Sequence, residues 1–175
     1  QFYVKALAEK LQNHPRFSHY LTAHNIAMLY KSAPLHDIGK VGIPDRILLK
    51  PGRFEPEEFE IMKQHTVIGA ELLANSHSPV LQMGEVIALT HHEKWDGTGY
   101  PQGLKGEEIP VGARILAVVD CFDALTSDRP YRRAIALNDA VAHIESESGT
   151  TFDPCIVRLL KTHYRLYESK LKGDD

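Results

Sequence analysis

Apolar positions recur along this chain at intervals of three and four, the period of one face of an α-helix. Val4, Leu7, Ala8 and Leu11 set a first helix over 2–12. After an HPRF turn, 19–38 reads as one or two helices, broken by Gly39, Gly42 and Pro44. KPGRFEP at 50–56 is a loop. A helix is predicted over 57–75, with Phe59, Met62, Gly69 and Leu72 facing inward and His65 on the same stripe. Another covers 79–93, and a glycine-rich loop fills 96–109. Pro110 suits the first position of a helix running to about Ser127. Two last helices, near 137–147 and 154–170, flank a Gly-Thr-Thr-Phe-Asp-Pro turn. No β alternation persists, so the expected fold is an all-α bundle with one long loop, a single domain over 1–175.

Composition narrows the class without naming a function. At 175 residues, with 43% hydrophobic and 25% charged positions and a net charge of −3, the chain reads as one soluble domain. Its 20 basic residues are dispersed, which excludes a duplex nucleic-acid binder. No apolar run approaches the ~20 residues of a membrane span, and no signal peptide is present. Cys121 and Cys155 lack paired spacing, so a reduced cytoplasmic location is expected. The chain opens inside a helical pattern, QFYVKALAEKL, so its first helix is expected to be truncated.

The chemistry lies in ten histidines and a few carboxylates. His36 and Asp37 are adjacent at a helix end, with Lys40 one turn on, so all three can face one spot. His65 on an apolar stripe is either a hydrogen-bonded core histidine or a ligand. His91 and His92 diverge by ~100° if helical, which predicts separate ligands to different metals. VGARILAVVDCFDAL, 111–125, is apolar nearly all round, so Asp120 is expected to be buried and to need a cation. Asp123 follows a turn later, and a salt bridge to Arg114 or Arg129 competes with a metal for both. Together His36, Asp37, His65, His91, His92 and Asp120 suit two or more iron, manganese or zinc ions, with Asp37 as the bridge. Two divalent ions less two carboxylates and a hydroxide leave about +1, suited to a phosphodiester. HHE at 91–93 is no zinc-protease helix, since HExxH needs His where Asp96 stands, and Pro101 spoils a dinucleotide fingerprint.

HDIGKVGIPDRILLKPG (36–52), the segment around His65, HHEKWDGTGYPQGLKGEEIP (91–110), RILAVVDCFDALTSDRPYR (114–132) and FDP (152–154) together resemble the HD-GYP family, a branch of the HD-domain metal-dependent phosphohydrolases. The resemblance implies an all-α HD-domain-like bundle with a long GYP loop. It also implies hydrolysis of cyclic di-GMP to pGpG or GMP at a bi- or trinuclear iron or manganese centre. Under it His36, Asp37, His65, His91, His92 and Asp120 are metal ligands, and Asp37 and Lys40 are catalytic, with Lys40 on a phosphate. Tyr100, Asp123, Arg129 and Arg132 contact substrate. A ligand His from a Gly-Asn-His stretch, and sometimes a Glu, lies upstream in the family and is not in this chain; His14 and His19 are not expected to replace it. The family also implies an upstream sensor or receiver domain and GGDEF-domain partners at the GYP loop. A weakly active signalling module, or a phosphohydrolase for another nucleotide, are the competing expectations.

Overall fold

The computed structural model describes residues 1–128 and 133–167. Among them nine α-helices follow in order: α1 (Phe2–Leu11), α2 (Ala23–Ser32), α3 (Asp45–Leu48), α4 (Pro56–Lys63), α5 (His65–Leu73), α6 (Pro79–Thr90), α7 (Val111–Thr126), α8 (Leu137–Ser146) and α9 (Pro154–His163). Short 3₁₀ turns occupy Ala33–Leu35, Ile38–Gly42, Gly106–Glu108 and Tyr164–Tyr167. No strand forms among the described residues, apart from one isolated bridge between Ser148 and Phe152. The expected all-α bundle is what the chain forms. No described helix is long and apolar enough to cross a membrane.

The apolar spacing of α1 buries Val4, Leu7, Ala8 and Leu11. They meet Leu29 of α2, Phe122 and Val118 of α7, and Ile144 and Ile156 of α8 and α9 in one core. The central helix is α7, most of whose sixteen residues are buried, as its nearly uniform apolar sequence requires. On the opposite side α5 packs on α6 and on the 38–42 turn, and α6 packs on α2. That second layer carries most of the site.

Local signals fix the helix ends. Thr22 accepts a hydrogen bond from the Asn25 N–H and starts α2, and Asp153 does the same for Cys155 at α9. Pro56, Pro79 and Pro154 stand in first turns, where a missing N–H costs nothing. Glu55 and Glu58 close a reciprocal capping box on α4.

Three helix expectations need correction. The helix predicted over 57–75 is two, α4 and α5, meeting at Gln64. The buried face of α5 is His65, Thr66, Gly69, Ala70 and Leu73. Phe59 and Leu72 are instead exposed, Phe59 meeting only the edge of Tyr100 and the Lys63 ammonium among the described residues' ring contacts. The helix predicted over 79–93 stops at Thr90, and His91 caps it. The last helix ends at His163 with a 3₁₀ turn after it; the rest of 154–170 lies outside the described residues.

A buried ion cluster ties the glycine-rich loop to the bundle. The Asp153 side chain, fully buried, accepts from Arg114 Nη1 at 2.9 Å and pairs with Arg16 Nη2 at 3.3 Å. Arg16 also pairs with Glu107 of the loop at 2.7 Å. Both guanidiniums lie over the rings of Phe17 and Trp95. The Trp95 and Asp96 N–H groups donate to the carbonyls of Thr151 and Thr150. Arg114 is thereby committed to Asp153, not to Asp120 or Asp123 as its sequence proximity suggested.

Candidate metal centre

The 33–42 segment winds tightly, with His36 closing one 3₁₀ turn and Asp37 opening the next. Its Gly39 lies against the backbone of α5, where a Cβ would overlap the His65 carbonyl oxygen and the Gly69 nitrogen. That approach brings Asp37 up to His65. Asp37 Oδ1 lies 3.5 Å from His65 Nε2 and 3.8 Å from His91 Nε2. Asp37 Oδ2 lies 3.4 Å from His36 Nε2 and accepts a hydrogen bond from Lys40 Nζ at 2.6 Å. The two carboxylate oxygens therefore face two different sets of groups.

Backbone carbonyls orient three of the imidazoles. His36 Nδ1 is 2.7 Å from the Ala33 oxygen, His65 Nδ1 is 2.7 Å from the Met62 oxygen, and His91 Nδ1 is 3.0 Å from the Ala88 oxygen. A carbonyl only accepts, so each Nδ1 carries a proton and each Nε2 is turned toward the site. Asp37, His65, His91 and His92 each offer a ligand atom, all within 4.8 Å of one another. His91 and His92 converge here, their rings 4.1 Å apart at 43°. The expected ~100° divergence fails because α6 ends at Thr90 and His92 lies beyond it.

His36 faces Asp37 Oδ2, and Asp120 adjoins His36. Asp120 Oδ1 is 3.8 Å from His36 Nε2, and its side chain is 45% exposed. The sequence expectation of a buried Asp120 is thus corrected: the cavity beside α7 opens its carboxylate to solvent. Asp123 is exposed too, and shares with Tyr3, Pro34, His36 and Asp120 a cavity of about 300 Å³. Arg129 and Arg132 lie outside the described residues.

The charge environment prepares these groups for a cation. Burial, then the neighbouring His92 and His36, pushes His91 down to about 2; burial and His65 push His92 down to about 4. Burial lowers His65 as well. Burial alone would raise the Asp37 carboxyl, but the Lys40 hydrogen bond and the charge of His36 hold it below its ordinary value. At neutral pH His65, His91 and His92 are therefore neutral and Asp37 is ionised, the protonation states a divalent ion requires. By donor type, convergence and protonation the residues suit a divalent metal.

The glycine-rich loop is built onto this centre. Tyr100 stacks on His92 at 4.8 Å and 24°, and its N–H donates to the His92 carbonyl. Burial and the negative Asp37 push its phenol up to about 12, so it stays protonated. Gly99 is obligatory because a Cβ would overlap the Lys94 nitrogen and the Glu93 Cα. Sequence reasoning missed Glu93, which is 3% exposed and accepts the N–H groups of Gln102 at 2.7 Å and Leu104 at 2.9 Å. Its position directly after the paired histidines is the signal the sequence offers for it.

Comparison with known proteins agrees with this geometry. The family profile described as "HD domain" matches residues 5–156. A cyclic di-GMP phosphodiesterase of Thermotoga maritima is 62% identical over 126 residues, 72% of this chain and 34% of that protein. One of Vibrio cholerae is 54% identical over 162 residues, 90% of this chain and 33% of that protein. The chain thus spans about a third of the length of these curated relatives. The crystal structure of a V. cholerae cyclic GMP-AMP specific phosphodiesterase superposes with a TM-score of 0.65 at 18% identity, covering 97% of this chain and 45% of that one. Asp37 set between imidazoles, on a bundle of this architecture and with these sequence matches, is an HD-domain arrangement, and the chain belongs to the HD-domain family.

Proposed function

We propose that this domain is a phosphodiesterase that hydrolyses cyclic di-GMP to pGpG, GMP or both, using two or three divalent ions, iron or manganese. The observation that carries the reading is the setting of Asp37: its Oδ1 faces His65 and His91, with His92 in the same ligand group, and its Oδ2 faces His36, which Asp120 adjoins. The first group would hold one ion and the second another, with Asp37 shared. The ions supply Lewis acidity toward phosphoryl oxygens and lower the pKa of water.

The chain's own residues bind and orient the substrate. Lys40, anchored on Asp37 yet 42% exposed, presents an ammonium where a phosphoryl oxygen gains charge in the transition state. Tyr100, protonated and fixed against His92, donates a hydrogen bond to the bound nucleotide. Asp123, on the shared cavity, contacts a guanine edge, and Arg129 and Arg132 contact phosphate. The domain is read as part of a longer cytoplasmic protein with a sensor or receiver domain before it. GGDEF-domain partners would meet the loop around Tyr100.

The test is metal analysis of the full-length protein together with its turnover of cyclic di-GMP and pGpG. Replacing His36 and Asp37 by Ala should abolish turnover and lower metal content. Unchanged turnover in that double variant would overturn the assignment of the centre.

A further inference from the structure

Phe59 is 42% exposed on α4, and the ring it borders makes that exposure informative. Its ring meets Tyr100 edge-on, with centroids 6.2 Å apart at 84°. Tyr100 in turn stacks on His92, a member of the ligand group. Lys63, one turn after Phe59, holds its Nζ 4.9 Å from the Phe59 centroid and 5.6 Å from that of Tyr100. A ledge therefore runs outward from the metal group as imidazole, phenol and phenyl, with an ammonium above the last two rings. The other partner of Lys63 is Glu60 at 2.7 Å; the lysine side chain is 25% exposed and the glutamate's 68%. An ion pair with one partner this open to solvent is weak, and a phosphate can displace the carboxylate.

We infer that Phe59 and Lys63 form a second subsite of the same centre, for the purine and phosphate that a cyclic dinucleotide presents beyond the bond being cut. The inference rests on the phosphodiesterase reading above. A cyclic dinucleotide carries two phosphodiesters and two bases in one ring. With one phosphate at Asp37 and Lys40, the remainder of the ring must lie over a neighbouring wall. The Tyr100–Phe59 wall offers an aromatic surface, on which any base can stack. Lys63 supplies the positive charge that the second phosphate needs, and its stem is kept in place by the two rings it covers.

The experiment uses the full-length, metal-loaded protein with Lys63→Ala, Lys63→Arg and Phe59→Leu. Cyclic di-GMP is compared with bis(p-nitrophenyl) phosphate, a diester that carries neither a purine nor a second phosphate. For Lys63→Ala and Phe59→Leu the KM for cyclic di-GMP should rise about tenfold, with kcat within about twofold. The ratio of kcat/KM for cyclic di-GMP to that for the small diester should fall by the same factor, and Lys63→Arg should recover most of it. An unchanged KM, or an equal loss on both substrates with a fall in bound metal, overturns the subsite. A wild-type protein that cleaves the small diester and not cyclic di-GMP overturns the cyclic di-GMP reading itself; a fully active wild type with unaffected variants overturns only the ledge.

Discussion

Gly39→Ala tests how the centre is assembled. A Cβ at Gly39 would overlap the backbone of His65 and Gly69 and lie 2.9 Å from the Gly69 Cα. The tightest contact, 1.9 Å to the His65 carbonyl oxygen, decides the movement. Van der Waals contact needs about 3.0–3.5 Å, so the 38–42 turn and α5 must part by roughly 1–1.5 Å. Overpacking of this kind costs about 1–3 kcal/mol, and here the obstacle is backbone that cannot rotate aside. A loss near 3 kcal/mol is expected, less about 0.5 kcal/mol for the reduced freedom of the unfolded chain. In a domain of this size that lowers Tm by roughly 5–10 °C. The same movement carries Asp37 and Lys40 away from His65, and a displacement near 1 Å can cost about 100-fold in rate. Gly69→Ala is the control, because its Cβ would meet Ala88 Cβ and the Gly39 nitrogen at a milder 3.2 Å. Thermal denaturation, metal content and phosphodiester turnover are measured on both. A Gly39→Ala protein that melts within 2 °C of wild type and keeps its turnover would refute the argument that this close approach positions Asp37.

Asp153→Asn keeps a residue able to cap α9 but removes the buried charge between Arg114 and Arg16; a loss of about 3–5 kcal/mol is expected, read as a lower Tm, and an unshifted Tm rejects it. In chelator, unfolding free energy should fall as pH drops from about 6.5 toward 4, because the unfolded chain protonates histidines that the folded site keeps neutral, His91 at about 2 and His92 at about 4. The slope is about 1.4 kcal/mol per pH unit for each such histidine, so urea titrations at pH 7, 6 and 5 should show it and His92→Asn should flatten it. Glu93→Gln sets an amide N–H against one of two loop N–H donors, so a shifted Trp95 emission and about 1–3 kcal/mol of lost stability are expected; an unchanged spectrum and Tm would show the loop is held by other contacts. Tyr100→Ala should weaken cyclic di-GMP binding at unchanged metal content, and loss of metal would show that the ring serves to support His92.

Helical period, glycine and proline breaks, and the adjacency of His36 and Asp37 with Lys40 were legible along the chain, because they depend on neighbours within a turn or two. So were the ligand types, since imidazole and carboxylate at the ends of apolar helices have few uses without a cation. The motif resemblance extended that list to Tyr100 and Asp123. What folding decided depends on contacts between distant segments. Whether Asp120 is buried turned on the open cavity beside α7, which an apolar sequence run does not register. Whether His91 and His92 diverge turned on α6 stopping at Thr90, so that the pair converges instead. Arg114 chose Asp153, 39 residues away, over carboxylates on its own helix. Phe59 stayed exposed because periodicity locates an apolar stripe but not the element that covers it, and over Phe59 no helix among the described residues does.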